Sequence, residues 1–427
     1  MTDTVVKGDR NATIEAKLHS AGFALGDSNF YSLTLGSDGC IYYTLSSHDR
    51  DCHGRFYRYD PQTDDVQLIG DLGEIVGESG RKSIPQGKSH TPFFEMDGKM
   101  YQATQYGFFA GVDGKEQPAA VPEGYTQYPG GHFVEIDMAT LECRDLAIAP
   151  PAEGILTAGL CTKNRRLYGL TWPRGIFIYH ELDGDRLRDL GPCCRGGEVG
   201  EGDQYLCLCR AFAVVPDTGI VYFTRATGDI VRYDPSTNAL TTIEENLKRD
   251  ILGEWDPHKG GHQGYNWRGI RWHDRDRVFY GVHPRSGFLF KFDPAKEKLD
   301  LIRRICADAV LRSGRYEPFY YGYLALDYGP DMADTIYYLT GTYGVPGHDN
   351  KKLNEATHLI TYNLRTDQLD DHGVIRLEDG RYARTSQTIA VHPNGRIYTC
   401  PWIENLDKGK GTDAGLVDLI SFANPLA

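Results

Sequence analysis

Histidine, tyrosine, arginine and tryptophan side chains recur along this sequence at matching places in a repeating pattern, and their types suit proton transfer beside an anion. At one place of the repeat stand His90, Arg210, Arg268, Gln387 and either Tyr321 or Tyr323. A second place holds Gln105, Trp172, His283 and Trp402, with Arg225 and Arg384 adjoining and His132 a third histidine close to the second unit's strands. Guanidinium forks match a carboxylate in two-point geometry. The faces of Trp172 and Trp402 are flat, apolar and of a size to stack on a sugar ring. His and Tyr exchange protons as base and acid. Together these groups match what β-elimination from a uronic acid glycoside demands. The carboxylate must be neutralised so that the C5 proton becomes acidic, a base must take that proton, and an acid must protonate the leaving oxygen. His90, Tyr321, Tyr323, His132 and His283 are the candidates for proton transfer. Gln105, Trp172, Arg210, Arg225, Arg268, Arg384, Gln387 and Trp402 are the candidates for substrate binding.

The elements that must position these residues are short strands. Residues 208–243 read LCRAFAVVPDTGIVYFTRATGDIVRYDPSTNALTTI. Runs of Val, Ile, Tyr, Phe and Thr at Ala211–Val215, Ile220–Thr224, Asp229–Tyr233 and Ala239–Ile243 are separated by Pro-Asp-Thr-Gly and Asp-Pro turns, the pattern of antiparallel strands joined tightly. The same unit recurs over about residues 31–72, 90–146, 157–190, 268–302, 321–375 and 387–420. A long insert, residues 108–129, interrupts the second unit. The last unit lacks a fourth strand, and the leader holds a spare one, Thr13–Leu18. A terminal strand that completes the final sheet removes an exposed edge. The expectation is an all-β chain forming one domain over residues 1–427, a seven-bladed β-propeller closed by its N-terminal strand. The aligned polar column, which opens the innermost strand of each unit, then rims one mouth of the central channel. An antiparallel hairpin returns the second column to that same end. Long loops at residues 73–88, 191–206 and 244–266 stand where a propeller carries function.

Composition narrows the classes. The formal net charge of −13 argues against a nucleic-acid partner, whose binding is driven by phosphate neutralisation. It leaves room for an anionic small substrate, because a local arginine cluster outweighs a global charge. The first twenty residues contain no apolar leader, and no run is long enough to span a membrane, so a cytoplasmic protein with no membrane partner is expected. Ten cysteines are scattered, several inside strand patterns, which suits reduced and buried thiols. Cys193-Cys194 and Cys207/Cys209 cluster locally without a CxxC pair, and read as packed small side chains rather than a zinc site.

The segment KSHTPFFEMDGKMYQATQYG, followed by YPGGHFVEID and accompanied by repeated IYY/VYF and RYDP strands, resembles the seven-bladed propeller polysaccharide lyases. That group includes ulvan lyases, rhamnose-glucuronate lyases and, more distantly, oligogalacturonate lyase. The resemblance implies a lyase acting on uronate-containing oligo- or polysaccharide, an anionic carbohydrate, with His90 as the first catalytic histidine. Where a partner histidine is implied the chain has Gln105, which cannot exchange a proton at neutral pH. His132, His283, Tyr321 or Tyr323 would then have to serve. The likeness to oligogalacturonate lyase also admits a Mn²⁺ or Zn²⁺ ion on a His/Gln set. Two other classes fit a propeller. A metal-dependent lactonase of the gluconolactonase kind implies inward carboxylates for calcium, and the inner column has no Asp or Glu. A non-catalytic binding propeller remains open, since one fold hosts unrelated functions.

Overall fold

A computed structural model describes residues 12–112, 115–258, 266–284, 286–315, 325–330, 334–342, 344–346, 352–405 and 416–427. The chain is all-β and propeller-like. Five antiparallel sheets of four strands follow one another, and a sixth sheet holds eight strands. The fourth sheet contains Ala213–Val214, Val221–Thr224, Asp229–Asp234 and Ala239–Asn246, paired in sequence order.

The recurring Arg/Lys-aromatic-Asp-Pro stretch has a local cause. Asp60, Asp234 and Asp293 each end a third strand and accept a hydrogen bond from the backbone N–H two residues on, at 2.8, 2.9 and 3.0 Å. The side chain thus imitates a backbone turn and launches the fourth strand. Asp97-Gly98, both at positive φ, makes the tight turn between Phe94–Met96 and Lys99–Ala103.

Burial follows the position of each strand in its sheet. The second strands, such as Ile41–Leu45 and Val278–Val282, are buried throughout, because neighbouring sheets cover both faces. The outermost strands, such as Asp65–Asp71, are half-buried to exposed. Between the third, fourth and fifth sheets Phe177 lies 5.8 Å from Phe223 and 4.7 Å from Tyr233, ring centre to ring centre. Truncating it to alanine would cost about 3–5 kcal/mol.

In the eight-stranded sheet the order is Leu326–Tyr328, Thr335–Gly341, Thr357–Asn363, Leu369–Leu377, Thr13–His19, Leu419–Ala423, Arg396–Thr399 and Ala390–His392. The N-terminal strand runs parallel to Leu369–Leu377 and antiparallel to Leu419–Ala423, with Ala16 opposite Phe422. Innermost strands line a central channel. It contains a cavity of about 160 Å³ bordered by Tyr31, His90, Ala158, Arg210 and Ile270, and another of about 210 Å³ bordered by Leu33, Asp327 and Ala390. No helix among the described residues is long and apolar enough to cross a membrane.

Candidate active site at the channel mouth

His90 reaches the channel through a tight crossing of backbones. Gly87 packs on Gly107 and on the Ser47 carbonyl, and a Cβ there would meet the Gly107 Cα at 2.3 Å, so only glycine fits. Next along, Lys88 and Gln105 exchange backbone hydrogen bonds of 3.2 and 2.8 Å. In extended chain residues two apart share a side, and Lys88 and His90 both pack on Phe30. The His90 ring stacks face to face on Phe30 at 4.8 Å, and the Lys88 Nζ stands 5.0 Å from the same ring's centre. Burial, followed by the charges of Lys88, Arg210 and Arg268, holds His90 well below the ordinary histidine range. Its imidazole is therefore neutral at pH 7, the form a general base needs.

Arg210 and Arg268 precede the innermost strands of the fourth and fifth sheets and are 4% and 2% exposed. Arg210 is clamped by Glu198, with Nη1 donating to Oε1 and Nη2 to Oε2 at 3.1 Å. Glu198 comes from the long loop after the third sheet, and it also accepts from the Trp172 indole N–H at 2.8 Å and the Leu208 N–H at 2.9 Å. Arg268 has no such clamp. Its Nε and Nη1 lack hydrogen-bond partners among the described residues. Burial and the neighbouring Arg210 charge push it down to about 10. A buried cation with two open donors is a ready receptor for an anion.

Several expected members of the mouth serve the scaffold instead. Trp172 is no stacking wall. It is 2% exposed, its N–H is committed to Glu198, and its ring meets Tyr106 edge-on at 5.1 Å. Arg210, expected to grip a substrate carboxylate, already grips Glu198. Arg225 is tied between the loop after the third sheet and its own sheet, donating to the Cys193 carbonyl at 3.0 Å and the Thr242 hydroxyl at 3.1 Å. Arg384 is paired with Glu404 and the Glu355 carbonyl. His132 sits between Asp145, at 2.9 Å, and Glu78, at 3.3 Å, and these contacts raise it against its burial, away from the His90 environment. His283 is buried with Nδ1 2.8 Å from the Ser286 hydroxyl, inside a turn. Trp402 is buried edge-on to Phe30 at 5.8 Å, so it supports the floor under His90 rather than offering an open face. Among the described residues, Gln105 packs against Gly154 with a buried Oε1 that has no partner, and the Gln387 amide is wholly buried and unpartnered. Tyr321 and Tyr323 lie outside the described residues.

Sequence reasoning missed Lys88, Glu116, Glu198 and Phe30. Lys88 was legible, two residues before His90 in an extended stretch. Glu116 was not, because the insert in the second sheet reads as loop, yet it forms a hairpin, Phe109–Val112 with Lys115–Pro118. That hairpin crosses to the fourth sheet's loop. Lys115 Nζ stands 4.1 Å from the Tyr205 ring centre and Glu116 is 4.0 Å from Arg210.

A divalent metal fits this mouth poorly. Lys88, Arg210 and Arg268 act on His90 as cations, which opposes a further positive charge, and no cluster of three or more His, Cys, Asp or Glu among the described residues is arranged for a metal. The four clustered cysteines are likewise free thiols, with Cys193, Cys207 and Cys209 buried.

No family model matches the chain, and no curated protein matches it in sequence. Its similarity to solved structures concerns the fold. The structure of U3-55K superposes with a TM-score of 0.51 at 9% identity, covering 96% of this chain and 98% of that one. The WD40 repeats of RRP9 superpose with a TM-score of 0.50 at 10% identity, covering 96% and 97%. Both support the propeller arrangement and nothing finer.

Proposed function

We propose that the protein is a lyase that cleaves uronate-containing oligo- or polysaccharides by β-elimination at this channel mouth. One observation carries the reading, the buried His90, whose burial and neighbouring Lys88, Arg210 and Arg268 charges favour the neutral imidazole, beside an Arg268 whose buried Nε and Nη1 have no partner among the described residues. Arg268, with Lys88 beside His90, receives the substrate carboxylate, and the neutralised carboxylate makes the C5 proton acidic. His90 takes that proton. Arg210 contributes field rather than contact, since Glu198 holds its fork.

The architecture under this reading is a seven-bladed propeller. The eight-stranded sheet divides into two blades at the parallel pairing of Thr13–His19 with Leu369–Leu377, and the N-terminal strand supplies the outer strand of the last blade. Parallel pairing between consecutive blades is the natural seam, because within each of the other sheets all pairing is antiparallel.

Incubation with oligosaccharides of glucuronate, galacturonate and iduronate, followed by the absorbance of the unsaturated uronate product, tests the activity. Absence of product across the panel would remove the lyase reading.

A further inference from the structure

We infer that the channel holds a second carboxylate subsite, built by Arg271 and Asp327 where the two cavities meet, and that it takes the acidic sugar unit adjoining the one cleaved. The inference rests on the elimination proposed above for its choice of a uronate chain as ligand.

Arg271 is the middle residue of the innermost strand of the fifth sheet, Gly269–His273, and it borders both cavities. It is thus a wall common to the space beside His90 and the space beside Asp327. The innermost strand of the sixth sheet, Leu326–Tyr328, fixes it at two points. Its Nε donates to the Leu326 carbonyl at 3.3 Å, and the Tyr328 hydroxyl donates to its backbone carbonyl at 3.2 Å. Tyr31, which also borders the first cavity, has a φ of 67°, uncommon for a bulky side chain, and its ring centre lies 5.4 Å from the guanidinium carbon.

What these contacts leave over is the donor edge of the fork. Arg271 is half-buried, and its Nη1 and Nη2 make no hydrogen bond among the described residues and are not sealed from the channel. Arg210, in contrast, spends both on Glu198. Burial would lower Arg271, but Tyr31 and Asp327 outweigh it, so the guanidinium keeps its charge.

Asp327 borders the second cavity and is half-buried, its Oδ2 accepting the Val391 N–H at 3.3 Å. Asp327 and Arg271 feel each other's charge, yet they form no ion pair among the described residues. Burial raises Asp327 above the usual carboxylate range against the pull of Arg271, as expected of opposite charges held apart. Two such groups on one cavity suit a ligand that presents a carboxylate and a hydroxyl. The carboxylate accepts from the open guanidinium edge, and the hydroxyl meets Asp327. A sugar acid carries both groups. The volumes agree, because cavities of about 160 and 210 Å³ fall below the roughly 300–1,000 Å³ of pockets for drug-sized ligands. Each suits a single sugar unit.

The test is calorimetric binding of two disaccharides, in a His90→Ala background so that the ligand is not consumed. Digalacturonate has two acidic units, and its counterpart joins one galacturonate to a neutral sugar. Digalacturonate should bind about 10-fold or more tightly than the mixed disaccharide. Arg271→Gln should abolish that preference and leave binding of the mixed disaccharide within about 2-fold, which also shows that the variant is folded. Arg271→Lys keeps the charge without the fork and should lose part of the preference, and Asp327→Asn a smaller part. No preference in the parent protein, a preference that survives both Arg271 variants, or equal weakening of the two ligands in both variants overturns the inference. Product formation from digalacturonate by the protein with His90 intact judges the lyase reading separately. Arg271-dependent binding without product removes the elimination and leaves the subsite, whereas product with no Arg271-dependent preference removes the subsite alone.

Discussion

Arg210 and Arg268 occupy the same place in adjacent sheets of one repeat, are equally buried, and live in opposite electrostatic states. Glu198 embraces Arg210 and raises it above the ordinary arginine value, whereas Arg268 is pushed down to about 10 with two donors unmet among the described residues. The difference arises from what the preceding loops bring. The loop after the third sheet folds through Gly197–Val199 and delivers a carboxylate, while no carboxylate among the described residues pairs with Arg268. Equivalence in a repeat therefore places a residue without assigning its role. One arginine braces the mouth and the other is poised to bind.

Breaking this contrast should give effects of different kinds. The largest is on stability. Arg210→Met leaves Glu198 buried with an unneutralised charge, and should cost about 3–5 kcal/mol in chemical denaturation. The mirror substitution, Arg268→Met, removes a buried unpaired charge. It should leave the fold as stable or more so by about 1–2 kcal/mol, yet lower kcat/KM on a uronate substrate about 10²–10³-fold. Similar denaturation midpoints for the two variants would erase the distinction between brace and receptor. Trp172→Phe tests the brace from its far end, because it deletes only the indole donor to Glu198. A loss of about 1.5–3 kcal/mol in stability is expected, without a specific loss of substrate affinity.

The smallest effect concerns pH. His90 is depressed in the folded protein, so the unfolded chain binds the proton first as pH falls below about 6.5. Folding stability from this group is complete above that value and declines below it, down to the depressed folded value. His90→Phe, which keeps the stack on Phe30, should make the acid slope of stability shallower by up to about 1.4 kcal/mol per pH unit. For the same reason the acid limb of kcat/KM, where it reports the free base, should fall below pH 6.5.

Much of the scaffold could be read from the chain. The Asp-Pro turns and Val/Ile/Tyr runs mark strands because each rests on local chemistry, an Asp that closes its own turn and side chains that suit a half-buried or buried sheet. The column of His90, Arg210, Arg268 and Gln387 emerged from repeat spacing alone, and His90 and Arg210 do border one cavity. What spacing could not supply is pairing across distant segments. Nothing near Trp172 announces that Glu198 will turn its indole into a structural donor, and nothing near His90 announces that Phe30 will stack on its ring. Arg225 and Arg384 are engaged by partners that spacing does not reveal, Cys193 in the loop after the third sheet and Glu404 just past Trp402.

The central claim is that His90 removes the C5 proton of a uronate at the channel mouth. The direct measurement is the rate of unsaturated-product formation from a uronate oligosaccharide carrying hydrogen or deuterium at C5, with wild-type protein and His90→Ala. The account requires product from the wild type, a slower rate with deuterium when proton removal limits turnover, and near-complete loss in the variant. No product from any uronate oligosaccharide, or undiminished product from His90→Ala, would contradict it.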